Sequence, residues 1–137
     1  MSDVPSAQDD LPPDLDRILA IAEATRAALP SPFDTLAAEV RLVVDDWPET
    51  HLLQEMEIDD AYGLTGLYEG EPLTERSVEA PTPPSTVTLF RRPILDEWAE
   101  LGDIALTALV AHVTVHEFAH HFGWSDDDIA AIDRWWE

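Results

Sequence analysis

IALTALVAHVTVHEFAHHFG, residues Ile104 to Gly123, is the stretch on which the fold turns. Asp103 before it can cap a helix, Gly123 can end one, and nothing between them breaks one. Ile104, Leu106, Leu109, Val110, Val113, Val115, Phe118 and Phe122 fall on nearly all sides of that helix, the pattern of a buried one. Within it stands His116-Glu117-Phe118-Ala119-His120. Residues four apart lie about 40° apart around a helix, so His116 and His120 can aim ring nitrogens at one ion, with Glu117 about 100° round beside it. Two core histidines and an ordinary glutamate are the plain alternative. Three polar groups in so apolar a helix need partners, which favours the metal.

Catalytic zinc takes three protein ligands and leaves a fourth position for water. The carboxylates after His120 are Asp126, Asp127, Asp128, Asp133 and Glu137. Gly123 chooses among them: a left-handed residue there turns the chain back, so the side chain three positions later, Asp126, can return to the ion. The competing role for Asp126 lies in Ser125-Asp126-Asp127-Asp128, a good helix start whose carboxylates the helix dipole stabilises without metal. His112, one turn before His116, either supports the site or bonds to backbone. His121, some 140° round, reads as a surface or packing residue, and His51, in an acidic loop, as solvated.

Outward from this helix, Pro13 and Asp14 open a first helix with Ile18, Leu19, Ala22 and Leu29 on one stripe up to Pro30. Val40 to Val44 is β-branched and short, a strand reaching about Asp45. Residues 49 to 60 are acidic with no clean period. Gly63, Gly66 and Gly70 punctuate an extended segment at 64 to 68 and suggest close backbone approach. Pro81, Pro83 and Pro84 place a loop at 77 to 85, and Thr86 to Phe90 reads as another strand. Pro93 starts a helix carrying Ile94, Leu95, Trp98 and Leu101 that Gly102 closes. Ser125 caps a last helix with Ile129, Ile132 and Trp136; Trp124, Trp135 and Trp136 read as core packing.

At 137 residues, one hydrophobic core is expected: a disordered acidic tail over 1–13 and a single domain over 14–137. A formal charge of -22, with seven cations that are all arginine, argues against nucleic acid and would favour basic over acidic substrates. A hydrophobic content of 45% with five Trp predicts a folded chain. Cysteine is absent, which leaves His and carboxylates as the strong metal ligands. No apolar leader or membrane-length segment is visible, so a cytoplasmic protein with no membrane partner is expected.

The pattern His116-Glu117-x-x-His120-x-x-Gly123-x-x-Asp126 resembles that of the small bacterial zincin-like metallopeptidase family, a minimal metalloprotease fold. The likeness runs over about residues 35 to 133, through Val40–Asp45, Gly66–Arg76, Thr86–Arg91 and Val113–Asp126. It implies an α+β zincin-like core: a buried metal-binding helix, flanking helices and a small sheet. It further implies zinc on His116, His120 and Asp126, with Glu117 as general base. The chemistry expected is peptide-bond hydrolysis of a peptide or protein substrate by metal-activated water. An oxyanion donor is also needed, and Tyr68 and Arg91 are the residues that can be named for it. The alternative is a zincin-like metal-binding interaction module with little or no turnover. A two-His-one-carboxylate iron site is disfavoured, since oxygenase chemistry has no use for Glu117.

Overall fold

Asp14 starts the first helix as its spacing predicts, with its carboxylate accepting the Arg17 amide at 2.8 Å. The computed structural model describes residues 13–70 and 85–123. Helix α1, Leu15–Ala27, buries Ile18, Ile21 and Ala22. A short helix α2, Phe33–Ala37, leads to strand β1, Arg41–Asp45. The acidic stretch that the sequence leaves open holds a six-residue helix α3, Thr50–Glu55, none of whose residues is buried. A turn at Ala61–Gly63, in which the Asp60 carboxylate accepts the Tyr62 amide at 3.0 Å, feeds strand β2, Gly66–Glu69. Strand β3, Thr86–Phe90, runs without a loop into helix α4, Arg91–Leu101, and helix α5, Leu106–Phe122, follows.

The sheet order is β1-β3-β2, with β1 parallel and β2 antiparallel to β3. The register sets Leu42 beside Val87 and Val44 beside Leu89, and Gly66 and Tyr68 opposite Leu89 and Val87. Alternation along a strand therefore sends these six residues to one face, where helices α1 and α5 pack. Phe118, Val110 and Ile18 meet there, each 0% exposed. Phe33 of α2 closes one end of this core, its ring centroid 4.9 Å from that of Phe122. The architecture is α+β, a buried helix against a small sheet.

Several boundaries differ from the sequence reading. Asp103 does not cap α5: Ala105 takes that position with no side-chain cap, and the α4–α5 turn is held by the Trp98 indole, which donates to the Ile104 carbonyl at 2.7 Å. Helix α4 begins two residues before Pro93, which falls in its first turn, where a proline has no helical hydrogen bond to forfeit. Strand β2 starts at Gly66 rather than 64, since the chain bends at Thr65 and pairing with β3 begins only at Gly66. The expected tail, most of the Pro-rich loop and the Ser125 helix with its tryptophans lie outside the described residues. Among the described residues, no helix is long and apolar enough to cross a membrane.

Candidate metal centre

Helix α5 carries histidines on one flank and core on the others. His116 and His120 stand one turn apart, ring centroids separated by 5.1 Å and planes at 80°. Their ligand nitrogens and a Glu117 carboxylate oxygen lie within 4.8 Å of one another. Both imidazoles are half-buried, whereas Glu117 is buried. Two imidazole nitrogens and an oxygen this close suit a borderline divalent ion, so the residues present fit a metal. At the end of the helix Gly123 adopts the left-handed conformation, φ 75° and ψ 26°, its amide bonded to the His120 carbonyl at 3.1 Å. Gly123 thus takes the left-handed conformation that the sequence reading expects of it. Asp126 lies outside the described residues.

Glu117 is held from above by β2. A Cβ placed on Gly66 would sit 2.9 Å from Glu117 Cγ, 3.1 Å from Val113 Cγ1 and 3.2 Å from Glu117 Oε2. Glycine at 66 therefore serves space, the close backbone approach that its sequence context suggests. This burial strips water from the carboxylate and pushes its pKa up to about 7. A base poised there exchanges protons readily near neutral pH. Gly66→Ala is expected to cost about 1–3 kcal/mol of stability through overpacking and to displace the Glu117 side chain. Urea unfolding of the metal-free variant checks the first effect and peptide turnover the second.

A cleft of about 290 Å³ opens beside these groups, walled by residues 63–66, by His112, Val113, His116 and Glu117 of α5, and by Glu97 of α4. A family model described as zincin-like metallopeptidase matches residues 37–136, well over half of the chain. The chain belongs to that family. It is a metallopeptidase-like module with a metal-ligand cluster on its buried helix. Compared with curated proteins, it has no match. The matched segment of this zincin-like chain starts at Ala37, so α1 supplies core residues from outside it.

The structure brings His116, Glu117 and His120 together and gives Tyr68 and Arg91 partners of their own. The Tyr68 hydroxyl sits 2.9 Å from Ser85 Oγ and 2.9 Å from His121 Nδ1. His121, 0% exposed, packs in the core and reaches Glu39 Oε1 through Nε2 at 3.1 Å. Because Gly66 and Tyr68 share a strand face while Glu117 and His121 are one turn apart, this chain ties β2 to α5 next to the base. Arg91 donates from Nε to Asp46 at 2.6 Å and from Nη1 to the Pro13 carbonyl, lining a different hollow from the cleft. His51 is exposed and pairs with Glu49 at 3.0 Å, as its acidic setting suggests. His112 borders the cleft. Glu97 escaped the sequence reading, although a glutamate on the Ile94–Trp98–Leu101 stripe is a legible anomaly.

Proposed function

We propose that the chain is a zinc-dependent peptidase that hydrolyses peptide bonds, with His116, His120 and Asp126 as ligands and Glu117 as general base. The observation that carries this is the buried Glu117 carboxylate, set within 4.8 Å of two imidazole nitrogens and opening on a cleft. When bound, zinc supplies an acidified water and a polarised scissile carbonyl. His116 and His120, one turn apart on a helix fixed by its core, present their nitrogens on a rigid frame, which favours precise placement. Glu117 accepts the proton of the attacking water at a carboxylate oxygen and passes it to the leaving amine nitrogen as the bond breaks. The Gly66 backbone above Glu117 limits the directions in which its side chain can turn. Peptide and protein chains are the substrate class.

The test is a metal titration joined to a peptide-library digest. Parent protein is expected to take up one zinc per chain and to lose hydrolysis to a chelator and regain it with zinc. His116→Ala and His120→Ala are each expected to weaken zinc binding at least tenfold, read by competition with a chromophoric chelator. Stoichiometric zinc binding without hydrolysis of any library member would support a metal-binding interaction module instead.

A further inference from the structure

Position 97 lies on the inward stripe of α4. Residues three and four apart share a helix face, and on this face Ile94 is fully buried while Trp98 ties its indole to Ile104. An amphipathic helix puts an apolar side chain at such a position. Here it is Glu97, half-buried, and it is the one group that α4 contributes to the wall of the cleft. Among the described residues Glu97 makes no hydrogen bond or ion pair. A second carboxylate in the hollow that holds Glu117, in a chain of formal charge -22, makes that hollow attractive to a cation. Leu64 and Val113 give the wall its apolar side chains, beside Thr65, His112 and His116. At about 290 Å³ the hollow has room for one long side chain.

We propose that Glu97 is a specificity-determining residue that receives a basic side chain, lysine or arginine, of the peptide substrate next to the scissile bond. This rests on the peptidase reading and adds its substrate class. The methylenes of such a side chain run along Leu64 and Val113 and its cationic head meets the Glu97 carboxylate in a charge-assisted hydrogen bond. Bound there, the substrate cation supplies a counter-charge that no described residue gives Glu97.

The experiment uses the full zinc-loaded chain and four peptides that differ at one position, carrying arginine, lysine, norleucine or glutamate, with the cleavage site mapped by mass spectrometry. The basic peptides are expected to show kcat/KM at least tenfold above norleucine. Glu97→Gln should bring that ratio below threefold, and Glu97→Lys should make the glutamate peptide the preferred one. A merely structural role for Glu97 cannot invert a preference. A second arm measures binding of the same peptides, fluorescently labelled, to zinc-loaded Glu117→Gln by anisotropy, with and without Glu97→Gln. Glu97-dependent binding of the basic peptides without hydrolysis by the parent would uphold Glu97 as the receiver of a basic side chain while removing the peptidase reading. Hydrolysis with a preference that neither Glu97 variant alters would overturn the inference and leave that reading standing. Loss of zinc from Glu97→Gln would make the residue a ligand and also overturn it, as would equal binding of all four peptides or binding of none.

Discussion

Glu117→Gln is expected to lower kcat/KM by about two to four powers of ten while zinc stays bound and the fold is unchanged. Glutamine keeps the length and shape of the side chain and can still accept a hydrogen bond at its carbonyl oxygen, but it cannot take a proton. General-base assistance contributes about 10²–10⁴-fold, which is the range the loss should fall in. The variant discriminates between roles because Glu117 is buried beneath Gly66: a smaller residue would open a cavity there and confuse a chemical effect with a packing one. Zinc content should match the parent, since both imidazoles remain. The pH profile provides a second check. In the metal-free chain the Glu117 pKa is raised to about 7 by desolvation, and a bound cation draws it down again by favouring the charged form. Activity of the parent should therefore rise with pH on a limb lying below 7, and that limb should be missing from whatever residual turnover the variant keeps. Equal activity in the two proteins would remove Glu117 from the mechanism.

The helix that holds the site is legible because two signals coincide there. Apolar residues on nearly every side of Leu106–Phe122 force burial, and the polar exceptions His116, Glu117 and His120 recur at a spacing only a helix brings together. Strand β3 shows itself through the alternation of Thr86, Val87, Thr88 and Leu89, since Val87 and Leu89 face the core. What escaped depends on contacts between distant segments. Helix α3 has no buried residue, so no hydrophobic period exists to reveal it. The burial of His121 comes from Tyr68 and Glu39, 53 and 82 positions away, and helical phase around His116 says nothing about either. Tyr68 and Arg91 stand out in the sequence by their chemistry and their nearness to strands. Their hydrogen bonds to His121, Ser85 and Asp46 follow from tertiary packing that local sequence does not encode. Glu97 is the converse case: its phase on α4 places it inward, and only the cleft shows what it faces.

The metal-free and zinc-bound proteins are expected to respond to pH in opposite directions. In the metal-free chain the folded pKa of Glu117, about 7, lies above its ordinary value of 4.5, so the folded state holds this proton more tightly than the unfolded chain does. That stability is fully present below pH 4.5 and is lost as pH rises through 7. A shift of this size corresponds to roughly 3 kcal/mol. Repulsion among the other carboxylates of so acidic a chain has the same sign, which makes the difference between parent and Glu117→Gln the quantity to measure. The amide stands in for the protonated acid, so the two metal-free proteins should be similarly stable at pH 4.5, and the variant more stable by roughly 3 kcal/mol above pH 7. Zinc acts the other way. It binds the folded arrangement of ligands and scarcely the unfolded chain, and a hundredfold excess over Kd adds about 2.7 kcal/mol. Protons compete for both imidazoles, whose reference pKa is about 6.5, so this gain grows as pH rises from about 5 to 7. Urea unfolding of both proteins at several pH values, with zinc and with chelator, reads all four curves. The apolar core around Phe118 includes neither His116 nor His120, so the metal-free chain should unfold cooperatively throughout. Coincident curves with and without zinc at pH 7.5 would mean that His116 and His120 do not hold the ion. A parent and variant that stay parallel from pH 4.5 to 8 would mean that desolvation does not govern the Glu117 proton.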